Sequence, residues 1–171
     1  SPFGACPSCA GLGSRLEFDA DLVIPDSGLS IEEGAITAWR RGGRRLILYY
    51  KSVLRALARH YEFSLETPFR ELPESLRNLL LHGSGDEPVR FGYWRGGAHR
   101  HYEKPFEGIL PNLARRYEET DSPSTQERLR AYMTPKPCAA CGGARLKPVV
   151  LACTLAGKGI HQVVAMSAGE A

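Results

Sequence analysis

The sequence predicts an α+β fold, in which a helical domain with a β-hairpin is inserted between two cysteine pairs that close it at its base. Three observations predict this fold. Two C-x-x-C pairs lie near opposite ends of the chain, apolar residues recur at helical spacing over 44–62, and two aromatic-rich runs flank Gly96-Gly97. The predicted division is a first knuckle, an inserted domain, a second knuckle and a return segment, at residues 1–14, 15–134, 135–148 and 149–171.

The composition suits one globular domain, or one domain with a small appendage. The chain has 171 residues, of which 43% are apolar and 24% are charged, which is enough to build a core. No run approaches the roughly 18 consecutive apolar residues of a membrane span. The first residues have neither the basic start nor the apolar stretch of a secretory signal. We therefore expect no membrane association and a cytoplasmic location.

The charge is unevenly distributed along the chain. The net charge is only +3, which by itself does not indicate a nucleic-acid partner. Residues 17–33, however, carry six acids and no base, whereas residues 40–59 carry seven bases and no acid. Within the acidic segment, Ser30 and Glu33 predict a capping box that opens a short helix or turn, which Gly34 weakens.

The basic segment predicts an amphipathic helix over about residues 44–62. Its apolar side chains recur at helical spacing. They are Leu46, Ile47, Tyr50, Leu54, Leu57, Ala58 and Tyr61. Lys51, Arg55 and Arg59 follow one another at intervals of four and therefore share the other face of this helix.

The hairpin and a second helix follow the basic helix. Pro73-Glu74 starts a helix near residues 74–81, and the glycine-containing run after it ends the helix. Residues 88–95 and 98–104 flank the two-glycine turn and therefore predict antiparallel strands.

The last part of the chain predicts two more helices and a strand pair. The helices are expected at about residues 107–119 and 123–132, the second with Ser122 as its cap and Pro123 at its first position. Residues 149–164 predict a strand pair around Gly157-Lys158-Gly159.

The two cysteine pairs predict a metal site. Glycines follow each pair, and glycine lets the backbone turn with positive φ and approach the sulfurs, so that amides can donate to them. Cys6 and Cys9 together with Cys138 and Cys141 would supply four thiolates, the closed tetrahedral ligand set of structural zinc. The sequence therefore predicts one structural zinc ion in a zinc-ribbon-like module, with no open position for catalysis.

The long separation of the pairs does not exclude a shared site. The 128 residues between Cys9 and Cys138 far exceed the roughly 15–20 usual between ribbon pairs. Closing so long a loop costs only about 1.7 kcal/mol more, against about 10–16 kcal/mol for binding structural zinc. Two alternatives stay open: a redox function for each pair, which the following glycines disfavour, and separate metals with ligands outside this chain.

One histidine pair could in principle bind a metal, and one cysteine lies outside the two C-x-x-C pairs. His99 and His101 lie two residues apart on a predicted strand and so share a face, but we expect a solvated or satisfied pair rather than ligands. Cys153 is the odd fifth cysteine, and we expect it to be buried as a small apolar residue.

Five segments of the chain resemble the UvrA family of the bacterial ABC excinuclease. They are SPFGACPSCAGLG, LYYKSVLRALARHYEF, LHGSG, PFEGILPNLARRYEET and PCAACGGARLKP, in this order and at compatible spacing. The resemblance runs from Ser1 to about Pro148. Beyond it, only Met166-Ser167 and the small residues around them look familiar.

The resemblance implies a DNA-damage-recognising ATPase of bacterial nucleotide excision repair, a homodimer with two ATP-binding cassettes interrupted by inserted domains and zinc modules. This chain matches the insertion domain of the first cassette, with residues 149–171 returning toward the ATPase signature region. The partners implied are double-stranded DNA, especially damaged DNA, the rest of UvrA, and UvrB. The family has another C-x-x-C pair upstream, absent here, so the pairing of Cys6 and Cys9 with cysteines outside this chain stays open.

The chain is not expected to bind ATP or to act as an enzyme on its own, although the parent UvrA would be an ABC-type ATPase. It contains no G-x-x-x-x-G-K-[ST] phosphate loop, and Gly157-Lys158-Gly159 lacks the hydroxyl residue and the glycine spacing. Residues 166–170 invite comparison with an ABC signature, but the family has a similar segment well ahead of its true signature.

The first functional hypothesis is DNA binding that is indifferent to sequence. Seventeen of the 22 basic residues are arginine, whose planar fork suits phosphate oxygens. The expected contacts are Arg40, Arg41, Arg44, Arg45, Lys51, Arg55, Arg59, Arg90, Arg95, Arg100 and Lys104. Stacking on a distorted duplex is possible for Trp39, Trp94, Tyr93 and Tyr102, although core packing is the expected use of each.

Three competing interpretations stay open. A basic helix face can simply be solvated, and arginine excess also follows from genomic base composition. A second hypothesis is a zinc-stabilised module that docks a repair partner or the rest of UvrA through residues 17–33 or 107–119. An enzyme acting alone is the least supported, because no nucleophile, base and orienting group are spaced together in a recognisable motif.

Overall fold

The chain divides into two compact units. Unit 1 comprises residues 1–17 and 134–171, and unit 2 comprises residues 18–133. The computed structural model describes residues 2–95, 98–155, 157–164 and 166–167, and within these only the backbone of residues 2, 93–95, 98, 99 and 155. None of the described helices is long and apolar enough to span a membrane.

Unit 1 is built from short elements. Its strands β1 (Ser14–Phe18) and β4 (Met133–Pro137) form one two-stranded sheet. The other elements are α7 (Pro148–Leu151), the antiparallel pair β5 (Thr154–Leu155) and β6 (Lys158–Gly159), and α8 (Ile160–Val164). The chain therefore leaves unit 1 through β1 and returns to it through β4.

The strand pair predicted for residues 149–164 is present but much shorter than expected, with helical turns on both sides. Pro148 occupies the first turn of α7, where its fixed φ favours a helix. At the start of α8, the backbone N–H of Gly159 donates to Oε1 of Gln162 at 2.8 Å. Half of the residues predicted as strand, 149–151 and 160–164, are therefore helical.

Unit 2 contains six helices and one hairpin among its described residues. In chain order they are α1 (Ala20–Val23), α2 (Thr37–Arg40), α3 (Arg44–His60), α4 (Glu74–His82), β2 (Pro88–Arg95), β3 (Ala98–Pro105), α5 (Ile109–Glu119) and α6 (Pro123–Arg130). The four helices and the hairpin predicted from the sequence are confirmed. The predicted turn at Gly96-Gly97 lies outside the described residues. Helices α1 and α2 were not predicted, because four residues are too few to show a helical period.

Helix α3 is amphipathic, as predicted. Tyr50, Leu54 and Leu57 are buried, whereas Lys51, Arg55 and Arg59 are exposed. Val53 and Ala56 are also buried, so the buried face of the helix is wider than predicted. Helix α3 packs against β2.

The capping box predicted at Ser30 and Glu33 is present in both directions. The Ser30 N–H donates to Glu33 Oε2 at 2.8 Å, and the Glu33 N–H donates to Ser30 Oγ at 3.1 Å. The bond from the Ser30 backbone lowers the pKa of Glu33. This local network forms a turn that ends at Gly34, whose φ is +105°.

A buried asparagine joins α2, α3 and α5. Oδ1 of Asn112 accepts from Nε1 of Trp39 at 3.2 Å and from the hydroxyl of Tyr50 at 2.9 Å. Its Nδ2 donates to Oε1 of Glu107 at 2.7 Å, and Arg115 donates to both carboxylate oxygens of Glu107. The asparagine therefore satisfies buried donors from two other helices at the point where the three helices meet.

Replacement of Asn112 by alanine should destabilise unit 2. The change leaves the Trp39 and Tyr50 donors buried without an acceptor, so we expect a loss of about 3 kcal/mol in urea unfolding. The matched control is Asn78→Ala, on the exposed side of α4, which should change the free energy of unfolding by no more than about 0.5 kcal/mol. Equal losses of unfolding free energy in the two variants would show that the hydrogen bonds of Asn112 do not stabilise the packing of the three helices.

Candidate metal centre and basic surface

The four cysteines of the two C-x-x-C pairs meet in unit 1. Their sulfur atoms all lie within 4.8 Å of one another, and all four residues are buried. The Cys9 and Cys141 sulfurs are 3.8 Å apart. A tetrahedron with metal–sulfur bonds of about 2.3 Å has edges of about 3.8 Å. The thiols therefore have the number, the chemistry and the spacing of a tetrahedral metal site.

The glycines after each pair have the predicted positive φ. Gly11 and Gly13 have φ of +80°, and Gly142 and Gly143 have φ of +57° and +88°. The turn after Cys9 lets the backbone N–H of Gly13 donate to the Cys9 sulfur at 3.3 Å, the type of amide–sulfur bond that was predicted.

Backbone hydrogen bonds tie one knuckle to the other. The N–H of Cys6 donates to the carbonyl of Arg145, and the N–H of Cys138 donates to the carbonyl of Gly13, each at 2.9 Å. The N–H of Lys147 donates to the carbonyl of Gly4, also at 2.9 Å. Each knuckle therefore satisfies backbone groups of the other, and these bonds bring the four thiols together.

The thiols differ in their affinity for a proton. Burial raises the pKa of Cys138, but amide donors from Cys141 and Ala140 outweigh it and lower the pKa to about 6. Burial raises the pKa of Cys141 to about 11, although amides of Arg145 and Gly143 oppose it. Four buried thiolates repel one another unless a cation joins them.

Cys153 is not buried, and the prediction that it packs as a small apolar residue was wrong. It is exposed, with its sulfur 3.8 Å from the carbonyl oxygen of Val149. The reason is that unit 1 consists of short elements, and its buried apolar cluster consists of the four other cysteines. The described groups that could hold a metal contain no histidine. His101 is exposed, and the side chain of His99 lies outside the described residues.

A basic surface follows α3 and the residues just before it. All seven bases predicted there as DNA contacts are exposed: Arg40, Arg41, Arg44, Arg45, Lys51, Arg55 and Arg59. With about 100° and 1.5 Å per residue, Arg44, Lys51, Arg55 and Arg59 fall within about 80° of the helix circumference and span about 22 Å. We call these four residues the basic stripe.

Arg40 differs from the other bases of this surface. Its Nη1 donates to the carbonyl of Glu33 at 3.0 Å, and a Cβ on Gly34 would overlap its guanidinium. Arg40 therefore has a structural partner in the chain. Within the described residues, the bases of the stripe have neither a hydrogen bond nor an ion pair.

One end of the stripe joins the hairpin in a basic groove. Arg59 and His60 of α3 and Arg90 and His101 of the hairpin line a cavity of about 290 Å³. Two acids lie nearby: Glu87 contacts His60 at 3.1 Å, and Glu103 is the strand partner of Arg90. The groove thus brings together two guanidinium groups that the sequence had placed 31 residues apart.

The other predicted hairpin contacts are only partly described. Arg100 is exposed, and Lys104 lies over the rings of Phe91 and Tyr102, at 6.0 and 5.8 Å from their centroids. The side chain of Arg95 lies outside the described residues, as do those of Tyr93 and Trp94.

Trp39 and Tyr102 pack within unit 2, as expected. Trp39 is 4% exposed and stacks on Tyr50, with ring centroids 4.2 Å apart and an interplanar angle of 6°. Tyr102 is half-buried and stacks on Phe91 at 5.6 Å. Trp39 is too deeply buried to stack on a base, and Tyr102 already stacks on Phe91.

Fold and site together define a mixed α+β domain with a buried four-cysteine cluster and a separate arginine-rich surface. A family model described as the UvrA DNA-binding domain matches residues 19–131. The chain belongs to the UvrA DNA-binding domain family. The matched model is that of a DNA-binding domain, not of a catalytic one.

Curated relatives match over the whole chain. UvrABC system protein A of Methanothermobacter thermautotrophicus is 46% identical over 171 residues, which cover 100% of this chain and 18% of the relative. The Thermus thermophilus protein of the same name is 45% identical over 172 residues, with the same coverage. A crystal structure of UvrA2 from Deinococcus radiodurans superimposes with a TM-score of 0.67 at 28% identity, over 94% of this chain and 20% of that one. The chain therefore spans about a fifth of the length of these proteins, and the resemblance predicted from the sequence is confirmed.

Sequence reasoning missed the role of Gly13 in joining the knuckles. A Cβ on this residue would lie 2.8 Å from Cγ of Arg145 and 2.9 Å from the carbonyl oxygen of Gly143. The signal was present in the sequence, since Gly13 is the fourth residue after Cys9, but its partner lies more than a hundred residues away.

Replacement of Gly13 by alanine should open the cluster. The change combines a strained positive φ with a clash against the second knuckle, which should cost about 2 kcal/mol or more. In the metal-free chain, we expect the four buried thiols to react with a thiol reagent at least about tenfold faster, while the exposed Cys153 reacts at once in every variant. Gly157→Ala is the control, because Gly157 has φ of +79° but nothing within 4 Å of an added Cβ. Similar rates in both variants would locate the effect in backbone strain alone.

Proposed function

We propose that this chain is the damage-sensing, DNA-binding insertion domain of a UvrABC system protein A, held at its base by one structural zinc ion. The observation that carries the DNA-binding part is an exposed, unpaired basic stripe within a segment that the UvrA DNA-binding family model covers. The proposed partners are double-stranded DNA, especially damaged DNA, the rest of the parent homodimeric ATPase, and UvrB. The proposed location is the cytoplasm, where free thiols persist. The division of the sequence into knuckles, insertion and return segment stays a prediction.

The thiol cluster supports the zinc proposal. Cys6, Cys9, Cys138 and Cys141 would hold the ion, and four thiolates leave no position for a reacting water. When bound, zinc supplies the positive charge that lets all four sulfurs be deprotonated together. The chain's own part is to hold the sulfurs in place through the backbone bonds between the knuckles.

The basic stripe supports the DNA proposal through its dimensions. A length of about 22 Å corresponds to about six phosphates along one strand of B-DNA, which are about 3.4 Å apart along the axis. Arginine and lysine side chains that contact phosphates bind without regard to sequence. Such indifference suits a sensor of lesions that occur in any sequence.

The start of α3 supports the same proposal. No acid occupies its first turn, and Gly43 supplies no side-chain cap. Arg44 and Arg45 instead place positive charge at the positive end of the helix dipole, which is unfavourable by several tenths of a kcal/mol. A phosphate bound there would offset this repulsion.

Metal analysis tests the zinc proposal. We expect one zinc per chain, lost in both Cys6→Ser and Cys138→Ser, because each change removes one of four ligands. Cys153→Ser is the matched control and should keep the zinc. Lowering the pH should release the metal, since protons compete for the thiolates and the affinity falls as the pH falls. Retention of zinc in Cys6→Ser alone would show that the first pair is not a ligand.

The salt dependence of DNA affinity tests the basic stripe. In the double variant Arg55→Gln and Arg59→Gln, two phosphate contacts are lost, so the slope of log K against log salt should become shallower by about 1.8. The control is Arg128→Gln with Arg130→Gln, two exposed arginines on α6, which should leave the slope unchanged. No binding by the unchanged chain at low salt would contradict DNA binding and favour a protein-docking module.

A further inference from the structure

We propose that Leu48 and Tyr49 form an apolar contact for an unstacked base step, and that this contact gives the domain a preference for distorted duplex DNA. The proposal rests on the DNA binding proposed above. The expected occupant is a base exposed at a bulge, a mismatch or a lesion. The aromatic residues that the sequence offered for this role are either packed within unit 2 or outside the described side chains.

Leu48 is the most exposed large apolar residue among the described residues of unit 2. It is 55% exposed, and its neighbour Tyr49 is 42% exposed. The other two are Leu22 and Leu29, at 38% and 36%, and both lie in the acidic segment 17–33, which repels DNA. Isolated exposed leucines are common, so exposure alone does not mark Leu48 as functional, whereas its position on α3 does.

Leu48 lies within the basic stripe, about 6 Å from its Arg44 end, and Tyr49 lies about 100° further round the helix. It follows Arg44 by four residues and precedes Lys51 by three, so the three side chains share one face of α3. Arg55 follows one turn after Lys51. If these cations bind successive phosphates of one strand, the nucleobases attached between those phosphates would lie against Leu48. This placement was visible in the sequence, because Leu48 is spaced by three or four residues from arginine and lysine and not from the core residues of α3.

Tyr49 is held in place from behind. Its ring lies 5.3 Å from that of Tyr50 at an interplanar angle of 60°, and Tyr50 stacks on Trp39. Burial raises the pKa of the Tyr49 hydroxyl, and the nearby Glu107 raises it further while Arg115 opposes the shift. A ring that is already ordered loses little entropy when a base contacts it.

The apolar contact and the basic stripe would have different functions. In an intact duplex the base faces are stacked and inaccessible, so Leu48 and Tyr49 gain nothing and binding depends on the phosphates. Where a base step is already unstacked, the protein does not have to supply the free energy of unstacking. An apolar side chain can then cover the exposed face of the base. The preference would therefore follow distortion and not the chemistry of a lesion.

The test compares two duplexes of about 30 base pairs, which exceed the length of the stripe, one intact and one with a central two-nucleotide bulge. The 171-residue chain should prefer the bulged duplex. Leu48→Ala and Tyr49→Ala should each reduce that preference by about five-fold or more, the effect of losing one base contact. Leu48→Met should keep most of the preference, because it preserves an apolar side chain of similar size.

Three controls separate this proposal from the proposed function. Leu22→Ala removes an exposed leucine outside the stripe and should leave the preference intact. In Leu48→Ala, the affinity for the intact duplex and its salt slope should not change, since the phosphate contacts remain. Thermal unfolding of Leu48→Ala should match that of the unchanged chain, because Leu48 is the more exposed of the two side chains. Tyr49→Ala also loses the ring contact with Tyr50 and should unfold a few degrees earlier.

The outcomes are distinct. If the unchanged chain binds neither duplex, the proposed function is overturned, and this inference with it. Salt-dependent binding with no preference for the bulge, or a preference that survives Leu48→Ala, overturns the inference alone and leaves Leu48 and Tyr49 as a surface for a protein.

Discussion

The meeting of four thiols in unit 1 is the constraint on which the rest of the structure depends. Cys6 and Cys9 are separated from Cys138 and Cys141 by 128 residues, yet the four sulfurs lie within 4.8 Å of one another. The backbone bonds between the knuckles make this meeting specific, and β1 and β4 continue it as paired strands. The entropic cost of closure grows only slowly with loop length, so a long insertion can be closed by one compact junction without loss of the junction's geometry.

An element could be predicted from the sequence where it was long enough to show the apolar spacing of a helix or a strand. The 17 residues of α3 show several helical turns of apolar spacing, and the hairpin shows aromatic runs on both sides of its turn, so both were visible in the sequence. Helices α1 and α2, with four residues each, carry no period. The Asn112 network and the contact of Gly13 with the second knuckle join distant segments, and a single sequence does not show which distant residues meet.

Burial of single residues was predicted less well than the elements, and Cys153 shows the reason. A cysteine is usually buried where an apolar core exists to receive it. Unit 1 has the thiol cluster in place of such a core, and its large apolar residues Phe3, Leu12 and Val149 are more than 70% exposed. The general tendency of the residue type failed because, among the described residues of unit 1, the buried apolar cluster is formed by the four other cysteines.

The ion pairs among the described residues favour the proposed DNA contact over a merely solvated basic face on α3. Genomic base composition enriches arginine at all positions alike, and on α5 the chain neutralises that charge: Arg115 contacts Glu107 at 3.0 Å and Glu119 at 2.7 Å. On α3 the arginine charges are not neutralised within the segment, because residues 40–59 contain no acid. Arg44 and Arg45 also oppose the dipole of their own helix. Compositional bias explains the number of arginines but not their concentration on one helix without partners, whereas selection for an external anion explains both the concentration and the missing acids.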